Sequence, residues 1–293
     1  MPELPEVETI VRGLAKRVTG DVINSVWIGT KPEPLKSSAK EIARALDGSR
    51  IAGVGRVGKH IVFDLERVTD GARTALPAKK SSKMKAAAKS VGPADAKAQW
   101  IVHLGMTGRV VVSDPAEKLA KHTHLVASLR SGRELRFVDP RRLGRLSVAQ
   151  GFEPGGREPL EIPLLDFIAL FRGRKTPIKS ALLNQKLLRG VGNIYADESL
   201  FRAGIRPKRK TSSLSKDELA RLHPAVQEVL REAIALGGST VSDYVDSDGE
   251  EGFFQLQHRV YGREGEPCLV CKTPIKRVVI GGRSSHYCPK CQK

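Results

Sequence analysis

All four cysteines of this 293-residue chain fall within its last 26 residues, as Cys268-x-x-Cys271 and Cys288-x-x-Cys291 with sixteen residues between the pairs. Two close thiol pairs at that separation have the spacing of a four-thiolate zinc site, which pins a short hairpin too small to fold around a hydrophobic core. Two disulfides are the alternative, but they need an oxidising compartment, and no signal peptide precedes Pro2. The reading is one structural zinc held by Cys268, Cys271, Cys288 and Cys291. It pins a hairpin within Val260–Lys293, with strands Arg277–Ile280 and Ser285–Tyr287 around Gly281-Gly282-Arg283.

The opposite end, Met1-Pro2-Glu3-Leu4-Pro5-Glu6-Val7-Glu8, constrains the chemistry. An initiator Met before a small residue is readily trimmed, which leaves the Pro2 ring nitrogen as a free secondary amine. A terminal amine titrates near about 7.7–8.0, so much of it is unprotonated near neutrality and able to attack a sugar or carbonyl carbon. Glu3 lies beside it, placed to move protons. Pro5 suits the first turn of a helix. Val7, Ile10, Val11, Leu14, Ala15 and Val18 then form an apolar stripe that would hold the tip of the chain still. The plainer alternative is that Glu3, Glu6 and Glu8 only complement the helix dipole.

Charge narrows the partners. The chain carries 50 Lys+Arg against 32 Asp+Glu, a formal +18, which favours polyanions and above all nucleic acid. A membrane surface is the competing polyanion, yet no apolar run approaches the ~18–20 residues of a spanning helix. Aromatic residues make up only 5%, too few for the stacking platforms of single-strand binders. The expectation is a cytoplasmic, monomeric protein with no membrane partner.

After the first helix, strand-forming runs recur at hairpin spacing: 21–29, 50–57, 60–65, 100–104, 109–113, 124–129, 133–138 and 145–148, with a helix or surface connection at 38–47. Such a series implies an antiparallel sandwich over residues 1–153. Residues 73–97 interrupt it with seven Lys/Arg, one Asp and seven Ala, and without apolar periodicity. Solvated filler is the default for such a segment, and a phosphate tether is the alternative. Residues 159–259 read as helical: 164–172, 177–187, a helix capped by Asn193 and running to about 202, and a capping box of Ser215 and Glu218 opening 216–222. Pro224 then starts a separate segment to 236. Gly190 and Gly192 before a helix start let a phosphate approach backbone N–H groups. The polar stretch 239–255 is too long for a plain connector.

MPELPEVETIVRGL at the N-terminus and IKSALLNQKLLRGVGNIYADESLFRAGIRP in the helical half resemble the formamidopyrimidine-DNA glycosylases, base-excision enzymes for oxidised purines. The resemblance implies an α+β fold: an N-terminal helix plus antiparallel β-sandwich, then a helix–two-turns–helix domain ending in the zinc-finger β-hairpin of 260–293. It implies damaged double-stranded DNA as partner, with neither redox cofactor nor catalytic metal. Pro2 would be the nucleophile and Glu3 the proton donor, with Glu6 orienting the site and Lys59 and Arg283 serving the elimination steps. Arg174, Lys179, Asn193 and His122 would contact DNA, mainly phosphates. Met106, Arg141 and Leu143 would fill the space left by the extruded base, although the family usually has Phe where this chain has Leu143. The alternative for Met106 and Leu143 is burial in the core. Ser239 and Tyr244 fall on the stretch that covers an extruded base in the family, for which a polar acidic loop is the alternative. The family also joins the strand ending near Leu65 to the next through a much shorter turn than residues 73–97.

The chemistry so implied is attack of Pro2 on C1′, loss of the base, then β- and δ-elimination at an iminium. Two other readings stay open. One is the sister endonuclease VIII-like glycosylases for oxidised pyrimidines, which share Pro2 and Glu3 but not the Leu4–Glu8 continuation. The other is a non-catalytic zinc protein that binds damaged DNA.

Overall fold

The computed structural model describes residues 1–68, 98–239 and 252–293. The segment 73–97 and Tyr244 therefore lie outside the described residues.

The first helix, α1 (Leu4–Val18), begins where expected, with Glu3 at its cap and Pro5 in its first turn. Its stripe of Val7, Ile10, Val11, Leu14 and Val18 is buried in the sandwich core, while Ala15 sits at its margin. The strands are β1 (Ile23–Ile28), β2 (Ser49–Val57), β3 (His60–Arg67), β4 (Ala98–His103), β5 (Arg109–Ser113), β6 (Thr123–Leu129), β7 (Glu134–Val138) and β8 (Arg145–Ala149), with α2 (Ala39–Leu46) between β1 and β2. They form two four-stranded sheets in the orders β1-β6-β7-β5 and β2-β3-β4-β8, with every pairing antiparallel. Phe63 stacks on Trp100 between neighbouring strands, ring centres 4.6 Å apart. Both are fully buried with Ile61, Leu125, Leu135 and Phe137. β3 and β4 pair directly, Leu65 opposite Ala98.

The second half is α3 (Leu164–Phe171), α4 (Ile178–Leu182), α5 (Asn193–Arg202) and α6 (Lys216–Ala235), followed by the hairpin β9 (Lys276–Ile280) and β10 (Arg283–Tyr287). Three details depart from the sequence reading. α4 stops at Leu182 rather than near 187, because Asn184 turns its side chain onto Lys186 N (3.0 Å) and offers its carbonyl to the N–H groups of Leu187 and Leu188. Such local bonds compete with a continuing helix. Residues 216–235 form one helix, not two, with Pro224 inside it. The lost bond and ring clash cost about 3 kcal/mol, but Leu219, Leu222, Val226, Val229 and Leu230 form one buried stripe across the proline. Burying each aliphatic side chain is worth about 1.5–3 kcal/mol, so packing outweighs the break. Thirdly, Asn193 is the first helical residue of α5 and Gly192 occupies the cap position.

The helical core contains one residue from the far end of the chain. Leu4 is fully buried among Ile194, Tyr195, Val229 and Phe254, and its N–H bonds the carbonyl of Gly190 (3.1 Å). Arg56 fastens the two halves a second time, reaching Glu8 at 2.8 Å and Glu158 at 2.9 Å. A third, small cluster of Phe201, Val260, Cys268, Ile275 and Cys288 underlies the hairpin.

Candidate active site and nucleic-acid interface

Because α1 enters the helical core at Leu4, its first turn is pressed against the start of α5. Glu3 is 5% exposed. Its Oε1 accepts the N–H of Ile194 at 3.3 Å, supplying the cap that the α5 sequence lacks. Its Oε2 is enclosed with no hydrogen-bond partner among the described residues. Burial pushes the carboxyl up to about 7, with Lys59 opposing the shift and Glu6 adding to it. Such a group keeps its proton near neutrality, as a general acid must.

Glu6 joins three elements. Its Oε2 accepts the Glu3 N–H at 2.7 Å, and its Oε1 accepts the Tyr195 hydroxyl and the Ser239 N–H at 2.8 Å. Ser239 is buried and its hydroxyl meets His258 Nε2 at 3.1 Å. Burial lowers His258 to about 4, so the ring is neutral and its Nε2 can accept the hydroxyl proton. Lys59, at the turn between β2 and β3, is 7% exposed. Burial lowers its pKa, the carboxylates of Glu3 and Glu6 hold it up, and Arg283 presses it down. Glu3, Glu6 and Lys59 thus share one electrostatic neighbourhood at the tip of the chain, with Arg283 at its edge. Pro2 is half-buried there and Met1 is 50% exposed.

The hairpin carrying Arg283 is fixed to α5 by buried charge. Asp197 pairs with Lys179 at 2.7 Å and accepts the backbone N–H of His286 at 2.8 Å, while Lys179 also donates to the Ser284 carbonyl at 2.6 Å. Lys179 is wholly enclosed and committed to these partners. Where the sequence reading has it contacting DNA, these bonds have it tie the hairpin to the helices. Asn193 reaches Ser284 Oγ at 3.4 Å. Arg283 and Arg174 are exposed, and Arg174 stands apart at the end of α3, donating to Leu170 O at 2.5 Å.

Met106, Arg141 and Leu143 come together on two loops clamped by Asp139. This buried carboxylate accepts the Thr107 hydroxyl (2.6 Å), the Arg141 N–H (3.2 Å) and the Gly144 N–H (2.7 Å). Gly105, at φ +63°, lies so near that a β-carbon would stand 2.5 Å from the Leu143 carbonyl carbon. Gly105 N also donates to Nδ1 of His103 (3.1 Å), which burial lowers to about 4 and so keeps neutral. Met106 is 47% and Leu143 43% exposed, so neither belongs to the core. His122 is half-buried beside this turn, its carbonyl accepting the Asp139 N–H at 2.9 Å. Sequence reasoning missed the parts played by Asp139, Thr107, Tyr195, Asp197 and His258, and it gave Gly192 to a phosphate rather than to Glu3. An Asp before Pro is a turn signal that could have raised Asp139, whereas Tyr195 and Asp197 look like ordinary helix residues.

The four cysteine sulfurs lie within 4.8 Å of one another, with Cys268–Cys291 at 3.9 Å and Cys271–Cys288 at 3.4 Å. Tetrahedral zinc with bonds near ~2.3 Å sets its sulfurs roughly 3.7 Å apart, whereas a disulfide needs about 2.05 Å. The four thiols fit a structural zinc.

A buried carboxyl at the N-terminal tip, two clamped loops that hold Met106 and Leu143 exposed and a basic hairpin over four clustered thiols fit a DNA glycosylase of the base-excision type. Family models agree in order along the chain: the formamidopyrimidine-DNA glycosylase N-terminal domain over residues 1–146, the H2TH domain of that enzyme over 156–245, and the zinc finger found in FPG and IleRS over 265–293. The chain is 43% identical to the formamidopyrimidine-DNA glycosylase of Solibacter usitatus across all of both chains. It is 38% identical to that of Bacillus subtilis, over all of this chain and 99% of the relative. Among solved structures, MutM (FPG) from Thermus thermophilus matches with a TM-score of 0.80 at 38% identity, over 99% of this chain and 98% of that one. Lactococcus lactis FPG in complex with DNA containing FAPY-dG matches at 0.82 and 30%, over 99% and 100%. The chain belongs to the formamidopyrimidine-DNA glycosylase family, and it is a base-excision-repair glycosylase with AP lyase activity.

Proposed function

We propose that this chain excises oxidised purines, 8-oxoguanine and formamidopyrimidines, from duplex DNA through a Schiff base at Pro2, acting as a monomer in the bacterial cytoplasm. The observation that carries the reading is the buried Glu3 carboxyl, raised to about 7 beside a half-buried Pro2. With Met1 removed, the Pro2 amine attacks C1′ of the damaged nucleoside. The proton on Glu3 passes to the ring oxygen O4′, the sugar opens, and the base departs. The resulting iminium acidifies C2′–H, and β- then δ-elimination release the two flanking phosphates. Lys59 and Arg283 balance the charge of this step, and Glu6 orients the first turn. The chemistry rests on the chain's own groups, with zinc confined to the finger that presents Arg283. Met106, Arg141 and Leu143 occupy the vacated stack. Arg174, His122 and Asn193 attend the phosphates, Lys179 acts through Ser284, and Ser239 anchors the start of the lesion-covering stretch.

Borohydride reduction tests the reading. Protein should be trapped covalently on 8-oxoguanine duplex, and a variant with one extra residue before Pro2 should bind but trap nothing. Equal trapping by that variant would move the nucleophile to a lysine.

A further inference from the structure

His258 stands in a row of rings that leads from the helical core to the hairpin. Its imidazole is edge-on to Phe254 and to Tyr261, with ring centres 5.6 and 5.5 Å away. Tyr261 is in turn edge-on to His286 of β10 at 5.2 Å. The backbone beside His258 is fixed from α5, because the buried Glu198 carboxyl accepts the N–H groups of Arg259, Val260 and Tyr261 at 2.9, 3.0 and 2.8 Å. Burial pulls the ring toward its neutral form, while a hydrogen bond to the Tyr261 backbone favours the protonated one, as donation to that carbonyl does. One ring nitrogen thus donates, and Nε2 is left to accept.

The donor that Nε2 meets is the Ser239 hydroxyl, at 3.1 Å. Ser239 follows two glycines in the left-handed region, Gly237 at φ +75° and Gly238 at φ +87°, where the backbone is at its most permissive. The chain is tied as far as Gly238, whose carbonyl accepts the Phe254 N–H at 2.9 Å. Beyond it, the Ser239 N–H donates to Glu6 Oε1 at 2.8 Å, and the other oxygen of Glu6 accepts the Glu3 N–H at 2.7 Å. A pair of glycines does not aim that N–H. The Ser239 side chain, held by a ring anchored to α5, does.

We infer that His258 is a positioning residue for base loss: through Ser239 it aims the backbone donor that holds Glu6, and through Glu6 it fixes the backbone of Glu3. The inference rests on the reading above in which Glu3 supplies the proton. His258 acts at two removes from Glu3, so its loss should slow the chemical step and leave DNA affinity alone.

The test compares full-length variants in single-turnover excision from saturating 8-oxoguanine duplex, beside their affinity for duplex carrying a stable abasic-site analogue. His258→Leu keeps an apolar side chain between Phe254 and Tyr261 but offers no acceptor. It should slow excision about tenfold, the loss expected when a hydrogen bond to a charged group slackens. Its affinity and melting transition should match the wild type. His258→Gln can both donate and accept, and should return the rate to within about twofold. Ser239→Ala should show the same loss as His258→Leu, and the double variant should be no slower than either. Should His258→Leu melt early, Ser239→Ala decides by the same comparison of rate and affinity. Excision by both single variants at the wild-type rate would overturn the inference, as would losses that multiply in the double variant. A Gln variant as slow as the Leu one would also overturn it, by reducing the ring to packing. Glu3→Gln on the same duplex separates the two ideas. If it is inert while His258→Leu and Ser239→Ala are unimpaired, only the positioning role falls. If it excises normally, the reading of Glu3 falls and takes this inference with it.

Discussion

A β-carbon on Gly192 would stand 2.0 Å from the carboxyl carbon of Glu3. The glycine at the head of α5 therefore serves a residue 189 positions earlier by leaving room for it. Gly192→Ala should push the Glu3 carboxylate off Ile194 and lower single-turnover excision by about 100-fold, roughly 2.7 kcal/mol of barrier. Retained excision would show that the Glu3 position is not needed.

Glu3 also gives stability and rate a pH signature. Its folded pKa, about 7, lies above the ordinary 4.5, so between those values the folded chain holds a proton that the unfolded chain has released. Stability from this group is thus greatest below about pH 4.5 and declines as pH rises to about 7. Glu3→Gln should gain stability relative to wild type across that window, measured by urea denaturation at pH 4.5 and 8. The same variant should abolish base loss, and wild-type excision should fall about tenfold per unit only above about pH 8, where the Pro2 amine is already unprotonated and the acid form of Glu3 continues to disappear.

The exposed Leu143 lacks the ring usual at its position. Leu143→Phe should tighten binding to abasic-analogue duplex by about five-fold or more, since aromatic stacking on a base is worth about 1–3 kcal/mol and each 1.4 kcal/mol is tenfold. Leu143→Ala should weaken it, leaving undamaged-duplex affinity and the circular dichroism spectrum unchanged. Asp139→Asn should mimic Leu143→Ala in competition binding, because the clamp fixes both wedge loops. Unfolding of the sandwich by Leu143→Ala would refute the wedge assignment.

For the finger, Cys271→Ser should release one zinc per chain in a chelator assay. Its small apolar cluster cannot hold the hairpin alone, so metal binding supplies its folding free energy. Amide exchange should rise through 276–287 while the sandwich keeps its melting transition. Lesion-duplex affinity should fall at least tenfold. Full affinity without zinc would show that Arg283 lies outside the DNA interface.

Much of this arrangement could be read from residues in a row. The strand series, the zinc spacing and the capping box of Ser215 and Glu218 are local signals, and each reappears in the fold. What escaped was every relationship made across the chain. Lys179 reads as a free cation until Asp197 is seen against it. Asn193 reads as a cap until the carboxylate of Glu3 arrives from α1. Pro224 reads as a break because a one-dimensional rule counts the lost bond and not the stripe buried on both sides of it. Leu143 was ambiguous for the opposite reason: an apolar residue near a strand is usually inside, and only the tight approach of Gly105 shows why it is held out.

The bonds of Glu3 to Ile194 and of Glu6 to Ser239 span 191 and 233 positions. The first turn of α1 is therefore held by residues that are translated long after it. A nascent chain that has not reached residue 239 lacks one or both of the backbone donors that hold Glu3 and Glu6. Leu4 meanwhile waits as an exposed apolar side chain for a core that is not yet translated. On the proposed mechanism, a chain cut short of residue 239 would carry Pro2 without a buried Glu3 carboxyl held beside it.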